Sequence, residues 1–257
     1  MRFGICADSI NIGVIENLGY DFIELGVAEL AVEGPESDFA PVRDRVLGSG
    51  LRAEAFNKFI PRGIMLVGPD VDRARAEAYV EVALARAAEI GGKTIVWGSP
   101  HARHVPEGFP RERAFEQLTE IGRFMGRVAE RYGQTIVVEP LDGKTTNTIW
   151  TVEDGYKLAL QIAHPNVRTM ADIYQMYQNG EPLTGMAVAG QYLAHVHVSD
   201  PDRQAPGNPR YFDFYREAFA VLAKLGYSGR ISIEARFADF EAEARRGLAL
   251  LRELSES

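Results

Sequence analysis

Short runs of apolar and β-branched residues recur along the chain, each followed by Gly, Pro or Asp and then by a longer stretch in which apolar positions repeat at the helical period. The runs are Arg2 to Cys6, Asp21 to Leu25, Leu51 to Phe56, Thr94 to Trp97, Thr135 to Glu139, Val167 to Asp172, Ala194 to Ser199 and Arg230 to Glu234. Val71 to Ile90 is the clearest helical stretch, opened by Pro69-Asp70 and closed by Gly91-Gly92. Others run from about Arg111 to Tyr132, Thr151 to Ala163, Asp213 to Leu225 and Phe240 to Leu251, while Tyr174 to Gly190 is interrupted by Pro182 and several Gly and predicts only a short helix. Runs such as Thr135-Ile136-Val137-Val138 lack polar alternation, as expected of strands covered on both faces in a parallel sheet. Eight βα units predict an α/β fold, a single-domain (β/α)8 barrel of the TIM type spanning residues 1–257, with an open doubly wound sheet as the alternative. No linker or low-complexity tract marks a second domain.

Composition narrows what such a barrel can do. The 28 Lys+Arg against 36 Asp+Glu give a net charge of −8, whose field repels polyanions and argues against a nucleic-acid partner. Cys6 is the single cysteine, so no intramolecular disulfide forms, which fits a reducing compartment. No run approaches the ~18 apolar residues of a membrane span, and the first residues lack a secretory h-region. The expectation is a soluble cytoplasmic protein with no membrane partner, and barrels of this size associate readily into homo-oligomers through their outer helices.

The candidate chemistry lies where strands end. In such barrels the active site is built at the carboxyl ends of the strands, and four consecutive strands place a polar residue there: Glu139, Asp172, His197 and Glu234. Their separations of 33, 25 and 37 residues are each about one βα unit, which sets them on adjacent staves. A lone carboxylate after a strand is ordinarily a helix cap or an ion-pair partner, but three together would repel one another unless a cation sat among them. Oxygen donors with one imidazole suit Mn2+ first, with Mg2+, Co2+ and Zn2+ as alternatives. His195 and His197 share one face of their strand, and His197, nearer the carboxyl end, is the expected ligand. Trp97 ends its strand near the same mouth and is a candidate for the pocket wall. The loop His101-Ala102-Arg103-His104 is either a distal anion site at the rim or solvated surface.

Competing motifs fail. Gly92-Lys93-Thr94 and Gly143-Lys144-Thr145 resemble the tail of a phosphate loop, but Ala87 and Val138 stand where its leading Gly belongs, and no G-x-G-x-x-G opens a helix. Ser199 lacks the nucleophile elbow that serine hydrolysis on such folds requires.

The motifs Glu54-Ala55-Phe56-Asn57, Val138-Glu139-Pro140-Leu141, Asp172-Ile173-Tyr174, His197 through Arg203 with Pro206-Gly207, and Ser232-Ile233-Glu234 resemble the strand-end motifs of the xylose-isomerase-like barrel superfamily, in its sugar isomerase/epimerase branch that includes the ketose 3-epimerases. The resemblance covers essentially the whole chain. It implies one divalent ion held by Glu139, Asp172, His197 and Glu234, with Glu139 and Glu234 as the acid/base pair. It also implies an Arg203 that holds a substrate oxygen, and places Asn57 and Gln175 among the substrate contacts. Gln175 stands where the epimerases usually carry a substrate-touching histidine, and Thr145 where many carry a second glutamate.

The chemistry implied is proton abstraction from an unphosphorylated ketose or keto-sugar through an enediolate stabilised at the metal. Return of the proton from the opposite face epimerises the carbon, return at the neighbouring carbon isomerises aldose and ketose as in inosose or hydroxypyruvate-type isomerases, and loss of a β-leaving group gives a dehydratase or lyase. Remoter readings are a metal-dependent DNA endonuclease, which needs more histidines and a basic groove, and a sugar-binding barrel without turnover.

Overall fold

The computed structural model describes residues 1–256. Eight strands, β1 (Arg2–Cys6), β2 (Phe22–Gly26), β3 (Ala53–Asn57), β4 (Thr94–Trp97), β5 (Thr135–Val138), β6 (Val167–Asp172), β7 (Leu193–Val198) and β8 (Arg230–Ile233), pair in parallel in chain order and close on themselves, β8 against β1. The closed barrel, and not the open sheet, is the architecture. Around it lie α1 (Ile12–Leu18), α2 (Glu36–Leu47), α3 (Arg73–Glu89), α4 (Arg111–Tyr132), α5 (Val152–Ile162), α6 (Ile173–Asn179), α7 (Phe212–Lys224) and α8 (Phe240–Ser255). No helix among the described residues is long and apolar enough to cross a membrane.

Helix ends follow local capping chemistry. Asp72 caps α3 by accepting from Arg75 N, and Thr151 and Asp154 form a reciprocal capping box on α5. The interrupted stretch after β6 resolves into the two-turn α6 and a 3-10 segment, Leu183–Tyr192, kinked at Gly190. The helices α1 and α2 were not singled out by periodicity; α1 has only seven residues and α2 carries Pro41 within it.

The core has two compartments. Strand residues that face outward pack against the helices, and a small inner layer of Val96, Val137 and Met170 fills the barrel itself. Side chains alternate along a strand, so in β4 the neighbour of inward Val96 must face the helical shell. Trp97 does so, fully buried, with its ring against Gly122 of α4. At the amino-terminal end, Glu54 of β3 pairs with Arg2 of β1 and Arg230 of β8, tying three staves together. That end is structural, which leaves the opposite mouth for chemistry.

Candidate metal centre and active site

Glu139 and Glu234 follow directly on β5 and β8, where each backbone N–H still donates to a neighbouring strand, Glu139 to Trp97 O and Glu234 to Val198 O. Their side chains are thereby launched from rigid staves. Asp172 closes β6 and serves two partners: Oδ1 accepts from Tyr174 N at 2.9 Å, capping α6, and Oδ2 accepts from Arg203 Nη1 at 3.1 Å. The helix-cap reading of this aspartate and the ligand reading are therefore compatible.

One donor atom from each of Glu139, Asp172, His197 and Glu234 lies within 4.8 Å of all the others. His197 Nδ1 stands 3.6 Å from Glu139 Oε1 and 3.2 Å from Glu234 Oε2, yet it is buried and lacks a partner with hydrogen-bond geometry. An unpartnered buried nitrogen converging on three carboxylates is the donor set of a hard or borderline divalent cation, so the residues present fit such an ion.

The electrostatics are those of charges forced together out of water. Burial pushes the Glu139 carboxyl up, helped by Glu234 and Asp172, and burial likewise raises Asp172 against the pull of Arg203. Burial acts in the same sense on Glu234, but His197 and Arg203 outweigh it and hold that carboxyl down at about 2. Burial disfavours a charged His197, and Glu24 and Glu234 overcome this to raise it well above the ordinary imidazole range.

Arg203 sits over the Tyr174 ring at 4.5 Å and bridges Asp172 and Glu234. Its backbone adopts φ +66°, a left-handed conformation that a non-glycine residue holds only where the surroundings enforce it. With Asn57 and Gln175 it lines two adjoining cavities of about 610 and 520 Å3 that open over the four-residue cluster, within the size range of small-molecule pockets. Gln175 Oε1 accepts from Asp142 N at 2.8 Å, which turns its amide N–H2 away from that bond as a fixed donor.

Two expectations need correction. Trp97 does not reach the pocket wall, because strand parity sends it into the shell. At Arg103 the loop after β4 is neither solvated surface nor a distal anion site: that side chain is fully buried and donates to the carbonyls of Trp97 and Glu139, clamping the ends of β4 and β5. Burial lowers its guanidinium to about 10 against the opposing pull of Glu139. Of the two loop histidines, His101 borders the cavity and His104 approaches Asn147.

Sequence reasoning also missed Glu24. The carboxylate of this β2 residue is fully buried, with His195 Nε2 at 2.9 Å and His197 Nε2 at 2.8 Å. The only available signal was a charged residue between Ile23 and Leu25 in an otherwise apolar strand.

Comparison with known proteins agrees with this architecture. A family model described as xylose isomerase-like TIM barrel matches residues 12–254. A D-psicose 3-epimerase from Ruminiclostridium cellulolyticum is 29% identical over 177 residues, 66% of this chain and 58% of that protein's length. A 3-dehydro-D-guloside 4-epimerase from Escherichia coli K12 is 27% identical over 249 residues, 93% of this chain and 91% of its own. Among solved structures, a D-psicose 3-epimerase with D-tagatose from Clostridium cellulolyticum H10 superposes with a TM-score of 0.88 at 23% identity, covering 100% of both chains.

Proposed function

The chain belongs to the xylose isomerase-like TIM barrel family, and from that premise we propose that it is a metal-dependent sugar epimerase acting on an unphosphorylated ketose or keto-sugar, with Glu139 and Glu234 as its acid/base pair. The observation that carries this reading is the convergence of four donor atoms within 4.8 Å of one another beneath a cavity. Glu139, Asp172, His197 and Glu234 would hold the cation, Mn2+ in the first instance and Mg2+, Co2+ or Zn2+ otherwise. When bound, it would supply Lewis-acid polarisation of adjacent carbonyl and hydroxyl oxygens, lowering the barrier to ionising the C–H between them.

The chain's own groups perform the rest. One glutamate accepts the proton from the carbon beside the carbonyl, and the other returns a proton to that carbon from the opposite face, inverting the centre. Three carboxylates make the innermost site electronegative, which disfavours a phosphate there and favours a neutral polyol end. Arg203 would donate to the oxygen that gains charge as the proton leaves. Asn57 and Gln175 offer donors for the remaining hydroxyls, and Gln175, unlike the histidine of the related epimerases, does so without titrating.

Relatives named as 3-epimerases and a 4-epimerase agree with inversion at a carbon next to a ketone. Metal analysis followed by incubation with ketoses and keto-glycosides in heavy water tests the proposal. The expected result is a stoichiometric divalent ion and deuterium incorporated at one inverted carbon. Exchange at the neighbouring carbon with an aldose product, or β-elimination, would redirect the assignment to an isomerase or a lyase. Sugar binding without exchange would refute catalysis.

A further inference from the structure

We propose that Glu24 is a positioning residue that fixes the orientation and tautomer of His197 for metal binding, an inference that rests on the four-residue cluster holding a divalent ion. Glu24 has no exposed surface, and its strand, β2, shares no ladder with β7, so its contacts to the two histidines cross the barrel interior. An ionised carboxylate survives such burial only when both oxygens are engaged. Here Oε1 is committed to His197 Nε2 and Oε2 to His195 Nε2.

The direction of these bonds decides the chemistry. A carboxylate only accepts, so each Nε2 must carry the proton and donate. In the neutral His197 that a cation would bind, this leaves Nδ1 as the lone-pair nitrogen, and Nδ1 is the atom turned toward Glu139 and Glu234. A flipped ring would present Cδ2–H to the cation and lose the bond to Glu24, and the other tautomer would present a protonated Nδ1 and leave Nε2 nothing to donate. Carboxylate-to-histidine contacts behind a metal ligand fix tautomer and ring orientation in this way.

His195 completes the device. It lies two residues back on the same face of β7, with its ring edge-to-face against His197, centroids 4.9 Å apart and planes at 80°. By holding the second oxygen, it prevents the Glu24 carboxylate from rotating away from His197. The neighbouring grouping of Cys6, Glu24 and His197 shares the Glu24 and His197 side chains already bonded to each other, so it is the back of this same arrangement.

The test uses Glu24→Gln, which keeps the volume but turns an N–H2 toward one imidazole. The dissociation constant for Mn2+, measured by chelator competition, should weaken 10- to 100-fold in a variant whose circular dichroism matches wild type. In parallel, 15N-histidine NMR of the wild-type protein loaded with diamagnetic Zn2+ should show the His197 proton on Nε2. A folded Glu24→Gln protein binding Mn2+ within about twofold of wild type would overturn the inference, as would a His197 proton on Nδ1. Should the variant not fold, the wild-type spectrum alone decides. Failure of the wild-type protein to bind any divalent ion would instead bring down the proposed function, and this inference with it.

Discussion

A Cβ placed on Gly98 would stand 1.9 Å from Glu139 Oε2, so the carboxylate occupies space that only a glycine leaves open. Gly98 is buried immediately after β4, beside the strand end from which Glu139 is launched. The clash is with the far end of a flexible side chain and not with backbone, so Gly98→Ala should cost little stability, about 1 kcal/mol. It should nonetheless displace one of the two proposed proton-carrying groups. Misplacement by about an ångström can cost a hundredfold in rate. Thermal melts close to wild type, together with deuterium exchange reduced at least that far, are the expected pair of results. Unchanged exchange would mean that Glu139 is not used where it stands.

Glu234 is held ionised by His197 and Arg203, and it borders both cavities. Glu234→Gln preserves volume and keeps an acceptor for Arg203 while removing the basic oxygen. Loss of a general base costs about 10²- to 10⁴-fold. Exchange from heavy water should fall by at least the lower figure with the fold intact by circular dichroism. Wild-type exchange in this variant would remove Glu234 from the acid/base role.

The strands and the four converging residues were legible because each signal is local: an apolar, β-branched run and a polar residue ending it. The stretch expected from about Arg111 to Tyr132 is α4, Arg111–Tyr132, flanked by Pro110 and Gly133. What escaped were relations across the barrel. Nothing in Phe22–Gly26 says which strand Glu24 will face, since the partner histidines lie more than 170 residues away. Trp97 was misplaced because the inward parity of a four-residue strand is fixed by its neighbours Val137 and Met170 and not by its own sequence. Arg103 read as loop surface because its buried guanidinium donates to backbone carbonyls, which leave no mark in the sequence.

Asp172→Asn separates the proposed ligand role of this residue from its capping role. The amide oxygen can still accept from Tyr174 N and Gln175 N, so α6 should remain capped, while the negative oxygen facing Arg203 and the cluster is lost. For the wild-type protein, Mn2+ at a hundred times its dissociation constant adds about 2.7 kcal/mol, or roughly 5–10 °C in Tm for a chain of this size. That rise should be reversed by EDTA in wild type and be largely absent in Asp172→Asn. An undiminished rise in the variant would place the ion elsewhere.

Glu181 supplies a pH signature independent of the active site. Its Oε1 accepts from Val152 N at the start of α5, and its Oε2 is buried without a partner. Burial, with Asp154 and Glu153 adding to it, pushes the carboxyl up to about 7 from its ordinary 4.5. The folded chain therefore retains this proton over a range where the unfolded chain has lost it. The resulting stabilisation is complete below about pH 4.5 and disappears as pH rises through about 7. Glu181→Gln retains the acceptor for Val152 N without an ionisable group, so its stability relative to wild type should rise between pH 5 and pH 8. Because the side chain is only partly buried, solvent screening holds the expected gain to about 1 kcal/mol. Urea denaturation of both proteins at several pH values measures it, and a difference that stays constant across that range would mean that Glu181 ionises as it does in the unfolded chain.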